Sequence, residues 1–239
     1  MQISFKDSVV LVAGGTGGLG HAVSLAFLAE TAKVVVTYRN AKKFEALKIE
    51  AARLPGTLEG AEVDVTDETA VRKLVEDLAK KHGRLDVLVN TVGGYAGGIR
   101  LWELETKVFD RMLELNLRSG FLLASAVVPV MLKQRSGAVV NVAAKAAVDH
   151  GAGASAYAAS KAAAVALMDS LAGDVKGTGV RVNSVLPSII DTATNRRAMP
   201  DAPFATWPKP EEIARVILFL ASDEARVVHG AAVPVYGTN

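Results

Sequence analysis

Tyr157 and Lys161 stand four residues apart in a segment of helical spacing, so both side chains leave one face of one helix. A free phenol has a pKa near ~10 and exchanges protons poorly at neutral pH, and an ammonium beside it favours the phenolate. Such a pair suits proton transfer to or from a small-molecule acceptor. A second chemical feature lies near the other end of the chain. The string AGGTGGLG, Ala13 to Gly20, follows an apolar β-branched run and precedes a helical segment. Glycines there allow a tight turn and a close backbone approach to a pyrophosphate, and the next helix points its N-terminal amides at the negative charge.

The residue that would meet the adenine ribose bears on which dinucleotide is held. An acidic residue about 20 positions past the glycines binds a ribose 2′-hydroxyl, whereas an Arg accommodates a 2′-phosphate. Here the second apolar run ends Thr37-Tyr38-Arg39-Asn40 without a carboxylate, and Arg39 lies 19 residues past Gly20. A guanidinium grips a phosphate through paired hydrogen bonds. NADP is therefore favoured, with NAD possible.

The elements that must position these groups alternate. Short apolar runs at Val9–Val12, Val34–Thr37, Ala61–Val65, Val87–Asn90, Ala138–Val142, Val180–Leu186 and Ala232–Val235 read as strands. Segments of helical spacing at 19–29, 41–53, 67–82, 104–114, 116–134, 157–175 and 210–221 lie between them. The pattern predicts an α/β fold, one doubly wound sheet of seven parallel strands with helices on both faces, in a single domain over 1–239. Its ligand crevice lies at the carboxyl ends of the strands. The stretch 188–208, with Pro200, Pro203 and Pro208, resists regular structure and reads as a substrate loop.

Together these strings resemble the short-chain dehydrogenase/reductase family, whose domain is Rossmann-type. The glycines follow its TGxxxGxG loop at Gly14, Gly18 and Gly20, with Ala13 where Thr is usual. Asp64-Val65 ends the third strand, Asn90-Thr91-Val92-Gly93 stands for NNAG, Tyr157 and Lys161 form YxxxK, and Pro187 to Thr192 resembles PGxIxT. The resemblance covers essentially the whole chain. It implies cofactor contacts at Gly14, Thr16, Gly18, Leu19, Gly20, Arg39, Asp64, Val65, Asn90, Pro187, Ile190 and Thr192. It also implies that Lys161 holds the nicotinamide ribose and that Tyr157 and Asn116 serve proton transfer.

One family feature is missing. The catalytic Ser usually lies thirteen residues before the Tyr, and that position is Ala144, between Ala143 and Lys145. Losing such a donor costs on the order of 10²–10³ in rate where charge collects on an oxyanion. Ser155 lies on a different turn and does not stand in this register. The dihydropteridine reductase branch of the family lacks the same Ser. Local strings resemble that branch: Gly93-Gly94-Tyr95-Ala96-Gly97-Gly98, Ala144-Lys145-Ala146-Ala147 with Asp149, and Asn195-Arg196-Arg197-Ala198-Met199-Pro200. That branch prefers NADH, from which Arg39 departs. The resemblance implies hydride transfer to a conjugated, quinonoid acceptor, with Tyr95, Ala144, Lys145 and Asn195 facing the substrate, and His150, which follows the fifth strand, is a further candidate for the crevice. The alternatives are a 3-oxoacyl or carbonyl reductase that works without the Ser, and a silent NADP-binding sensor.

Composition excludes other classes. Of 239 residues, 50% are hydrophobic and 22% charged, which is too apolar for a disordered chain. The net charge, 27 − 25 = +2, has no basic run to bind nucleic acid. There is no cysteine, and His21, His82, His150 and His229 do not fall at metal-ligand spacing. The longest apolar run, Phe121 to Leu132, is short for a membrane span and carries Pro129. No leader is read near Lys6, so a cytoplasmic enzyme acting on a small molecule is expected. The family resemblance implies a homodimer or homotetramer.

Overall fold

A computed structural model describes residues 3–238. Seven parallel strands form one sheet in the order β3-β2-β1-β4-β5-β6-β7. They are β1 (Val9–Ala13), β2 (Lys33–Tyr38), β3 (Thr57–Glu62), β4 (Val87–Asn90), β5 (Gly137–Val142), β6 (Val180–Pro187) and β7 (Ala232–Val235). The helices are α1 (Gly18–Ala29), α2 (Ala41–Ala51), α3 (Glu68–His82), α4 (Thr106–Leu113), α5 (Ser119–Gln134), α6 (Ser155–Asp174), α7 (Ala193–Ala198) and α8 (Pro210–Ala221). The strand order reverses between β1 and β4, so loops that follow these strands diverge and open a crevice at their carboxyl ends.

The central strands are apolar on both faces because both faces are covered. Val10, Val12, Val89 and Val140 join Phe27, Ile213 and Ile217 in one layer under α1 and α8. Leu11, Leu88 and Val139 join Leu74, Leu123 and Met131 in the other, under α3, α5 and α6.

Two sequence readings shift. The third strand runs over Thr57–Glu62, not Ala61–Val65, pairing Lys33 with Thr57 and Tyr38 with Glu62. It is the edge strand of the sheet and is only partly covered, so it carries polar residues, and the apolar stretch after it is the connection that holds Asp64 and Val65. The separate helices at 104–114 and 116–134 are one continuous run over Thr106–Gln134, joined by a π-helical turn at Glu114–Arg118. This run is long and apolar enough to cross a bilayer by length alone. Half of its apolar window is buried within the domain, with Leu122, Leu123, Val127 and Met131 in the core. The 188–208 stretch contains the short α7 and a 3-10 turn at Phe204–Thr206.

The adenine end of the crevice depends on how α2 sits on β3. Phe44 stacks flat on Tyr38, with ring centroids 4.5 Å apart, and Gly60 lies directly beneath the Phe44 ring. A Cβ at Gly60 would enter that ring. Gly60→Val is expected to cost about 1–3 kcal/mol of stability by overpacking and to lift the α2 N-terminus, weakening dinucleotide binding. Thermal unfolding and a dinucleotide titration check it, and unchanged affinity in a destabilised variant refutes the link.

Candidate active site

The glycine loop needs its glycines for two reasons. Gly14 holds φ +75°, a left-handed conformation that side chains disfavour, and a Cβ at Gly20 would collide with the Gly14 carbonyl. The loop is tied down by its neighbours: Gly14 N donates to Thr37 Oγ1 at 3.0 Å, and Thr91 Oγ1 donates to Ala13 O at 2.7 Å. Gly18 begins α1 and faces Thr192, whose hydroxyl caps α7 by accepting from Asn195 N at 3.2 Å. The segment after β6 thus closes over the start of α1. Leu19 does not face the crevice. Its side chain is buried in the core under α1.

A cavity of about 260 Å³ continues from this loop past the end of β2. Thr16, Arg39, Lys43, Asp64 and Val65 line it. The Asp64 carboxylate accepts from Thr66 N at 3.0 Å and Thr66 Oγ1 at 2.8 Å, and these hydrogen bonds hold its pKa below the usual carboxylate range. Arg39 Nη1 lies 3.8 Å from Asp64 on the exposed rim. Lys43 is the residue that sequence reasoning missed. Its signal is its place in the first turn of α2, where Asn40 Oδ1 accepts from Lys43 N and fixes that turn beside Arg39. Asp64 offsets the charge of Arg39, and Lys43 leaves this end of the cavity with a net positive charge.

Asn90 ends β4 and lies beneath the crevice, not in its wall. Its amide donates to Asn141 Oδ1 at 3.0 Å and accepts from Val92 N, which shapes the turn that follows. Asn116 sits in the π-helical turn. The extra residue of that turn swings its amide inward, where Oδ1 accepts from Gly94 N at 2.9 Å and Nδ2 donates to Gly94 O and Ser160 Oγ, both at 3.0 Å. Ser160 Oγ in turn donates to Tyr157 O. Asn116 therefore ties the 93–97 loop to the helix that carries Tyr157 and Lys161.

Lys161 is buried, 5% exposed, and its Nζ donates to Val142 O at 3.0 Å. Burial draws its pKa down to about 8. The phenol of Tyr157 is not lowered as the pairing predicts. Burial pushes it up to about 12, with Tyr95 adding to the rise. The reason is geometric: the ammonium is spent on the end of β5, while the phenol lies among apolar walls.

Those walls bound two adjoining cavities. One, of about 290 Å³, is lined by Tyr95, Ala144, Tyr157, Ile190, Asn195 and Met199. The other, of about 450 Å³, adds Lys145, Asp149, Pro203 and Trp207. Pro187 lines both, and the Tyr95 ring meets the Tyr157 ring edge-on at 5.0 Å. Asn195 Nδ2 donates to Ile190 O, so it shapes the wall. His150 lines neither cavity. It is exposed, and its Nε2 lies 3.2 Å from Ala147 O. Ser155 Oγ is buried without a partner among the described residues and also lines neither.

A family model for the short chain dehydrogenases matches residues 8–203. The chain belongs to the short-chain dehydrogenase family. It is accordingly an NAD(P)-dependent oxidoreductase. A 3-oxoacyl-(acyl-carrier-protein) reductase of Thermotoga maritima is 35% identical over 97% of each chain. A meso-2,3-butanediol dehydrogenase of Serratia marcescens is 36% identical over 98% of this chain and 94% of its own. Among solved structures, a Beutenbergia cavernae protein assigned as an NAD(P)-dependent gluconate 5-dehydrogenase, with NADP at low occupancy, matches at TM-score 0.90 and 30% identity. The match covers 98% of this chain and 97% of that one. The short-chain dehydrogenase cofactor fits the residues present: a glycine-rich bend at Gly14–Gly20, a basic pair at one end of the crevice, and Tyr157 with Lys161 at the other.

The buried ammonium has a measurable cost. Below about pH 8 Lys161 is charged in both folded and unfolded chains, and burial disfavours the folded one. Between about 8 and 10.5 the unfolded chain binds a proton that the folded chain lacks, so stability rises with pH through that window. Lys161→Met should abolish turnover yet melt above the wild type at pH 7, by on the order of 3 kcal/mol at most. That advantage should shrink by pH 10. Melting curves of both proteins at the two pH values check this, and a less stable variant at pH 7 contradicts it.

Proposed function

We propose that this short-chain dehydrogenase uses NADPH, in preference to NADH, to reduce a flat, conjugated acceptor of quinonoid type. The observation that carries the reading is Ala144. It lines both cavities beside Tyr157, in the register where a Ser hydroxyl would meet a developing oxyanion. The remaining serine on these walls, Ser188, spends its hydroxyl on Tyr236 O at 2.7 Å. An acceptor that becomes aromatic on reduction spreads the incoming electron pair over its rings, so its transition state depends less on one local donor. The apolar walls and the exposed Tyr95 ring suit such a flat molecule, with aromatic stacking worth roughly 0.5–1.5 kcal/mol beyond burial.

Bound in the crevice, the nicotinamide supplies the hydride. Tyr157 holds its proton at neutral pH, as a free phenol does, and delivers it to the reduced acceptor. The Lys161 ammonium, held on Val142 O, stands one helical turn from Tyr157, and Asn116 keeps the loop and helix in register. Arg39 and Lys43 favour a 2′-phosphate at the adenine end. The exposed Phe109 and Phe121 on the helical run over Thr106–Gln134 support assembly into a homodimer or homotetramer.

A second reading, a 3-oxoacyl or carbonyl reductase, is favoured by the 35% identity to the Thermotoga maritima enzyme. It requires another donor where alkoxide charge collects. Comparing kcat/KM on quinonoid dihydropterins, quinones and ketones, in wild type and Ala144→Ser with NADPH, separates the two. The expected result is efficient quinonoid reduction, poor ketone reduction, and a gain of roughly tenfold or more on ketones alone in the variant. Efficient ketone reduction with no activity on the conjugated acceptors overturns the proposal. Arg39→Asp should weaken NADPH binding at least tenfold and favour NADH, since it sets a carboxylate against the phosphate. A wild type that binds NADH as tightly as NADPH contradicts that assignment.

A further inference from the structure

The segment between β6 and α8 supplies one wall of both cavities but has little structure of its own to hold it. Its helix, α7, is six residues long and buries none of them. A helix of that length is unstable by itself in water. Pro200 and Pro203 interrupt the chain beyond it. Yet Met199, Pro203 and Trp207 line the larger cavity together with Tyr157, and Asn195 and Met199 line the smaller one. Their placement needs ties within the segment. Its base is closed by one backbone bond, from Asp191 N to Pro208 O at 3.0 Å. Its interior is held by a chain of side chains. Arg196 Nε donates to Asp191 Oδ1 at 2.5 Å and Arg196 Nη2 donates to Asp191 Oδ2 at 2.7 Å, a two-bond fork. These bonds hold the Asp191 carboxyl below the usual carboxylate range, so both partners are charged at neutral pH. The same guanidinium lies over the Phe204 ring, 4.9 Å from its centre. Phe204 meets Trp207 edge-on, with ring centroids 5.1 Å apart, and Trp207 is buried against the cavity. Asp191, Arg196 and Phe204 themselves line neither cavity.

We propose that Arg196 is a positioning residue for the acceptor: joined to Asp191 on one side, and through Phe204 to Trp207 on the other, it fixes one wall of the cavity that Tyr157 lines. A guanidinium suits the task because it is planar. Its edge takes both carboxylate oxygens while its face lies on an aromatic ring, which an ammonium cannot do together. The linkage is separate from the tie to the cofactor loop, where Thr192 caps α7 and faces Gly18. Loosening it therefore costs acceptor binding more than dinucleotide binding. The assignment rests on the reading of these cavities as the acceptor site, and holds for a conjugated or a ketone acceptor alike.

Kinetics with NADPH on 1,4-naphthoquinone and on acetoacetyl-coenzyme A cover both acceptor classes, in wild type, Arg196→Met, Arg196→Lys, Phe204→Ala and the Arg196→Met/Phe204→Ala double variant. On whichever acceptor the wild type reduces, KM should rise about fivefold in Arg196→Met and in Phe204→Ala, the order expected for an exposed ion pair with its cation–π stack. The kcat and the dissociation constant of NADPH should change by less than about twofold. Arg196→Lys should stay nearer to Arg196→Met than to wild type. The double variant should be no worse than either single one, since both break the same linkage. A second readout needs no acceptor. The chain has two tryptophans, so a Trp102→Phe background leaves Trp207 alone. There, acrylamide should quench Trp207 about twice as strongly in Arg196→Met as with Arg196 in place. An unchanged KM in Arg196→Met overturns the proposal whether or not quenching rises, as do additive losses in the double variant or a wild-type KM in Arg196→Lys. A wild type that reduces the ketone thioester alone removes the conjugated-acceptor reading, and a fivefold rise in KM on that thioester still supports the role of Arg196.

Discussion

The arrangement at the carboxyl edge of the sheet is built around one buried charge. The ammonium of Lys161 lies inside the domain with a single carbonyl among the described residues, Val142 O, to receive it. Burying a cation without a carboxylate partner is expensive unless dipoles surround it. The neighbours are shaped accordingly. β5 must end at Val142 so that this carbonyl is not consumed by the sheet. Position 93 must lack a side chain, because a Cβ there would stand 3.1 Å from Lys161 Nζ and 2.9 Å from Asn116 Oδ1. The Asn116 amide must be turned inward to hold the same loop, and the π-helical turn achieves this at the junction of α4 and α5. Loop, strand end, helix and π turn are mutually fixed, and Tyr157 rides on that assembly.

How far the sequence discloses this depends on the kind of interaction. The glycine loop is legible because only glycine meets the steric demands at Gly14 and Gly20, and the central strands are legible because burial on both faces makes them continuous apolar runs. β3 is less so. As an edge strand it mixes Thr57, Glu59 and Glu62 with apolar residues, and its place is set by Gly60 fitting beneath Phe44, a contact that no periodicity reports. The π-helical turn is likewise invisible to a 3.6-residue pattern, so one helical run reads as two. Lys43 is hidden because its role depends on the capped first turn of α2 standing beside Arg39. His150 shows the opposite failure: proximity in sequence to the end of β5 suggests the crevice, but the turn at Lys145–Ala147 carries it out to solvent.

The position of Ala144 has meaning only together with the cavity around it. An alanine in that register on a polar, hydrated wall could be replaced by a bridging water. Here the wall is mostly apolar, and the one serine hydroxyl on it is directed elsewhere. A substrate whose charge localises on one oxygen would therefore find no hydroxyl in that register and would lean on Tyr157. A substrate whose charge delocalises has no such requirement, and the flat walls offer it contact area.

Burial acts on both members of the Tyr157–Lys161 pair. In water the phenol and the ammonium would titrate at similar pH, and their order of deprotonation would be nearly balanced. In the folded chain the same desolvation acts on them oppositely, because it disfavours the charged form of each: it raises Tyr157 to about 12 and lowers Lys161 to about 8. At neutral pH the phenol is protonated, as it is in water, and the shift makes it a weaker acid. Transfer in either direction passes through the phenolate, which is left when the phenol gives its proton and which must be present to take one. Desolvation therefore raises the cost of that phenolate for reduction and oxidation alike, and a positive charge brought close to Tyr157 is what would lower it.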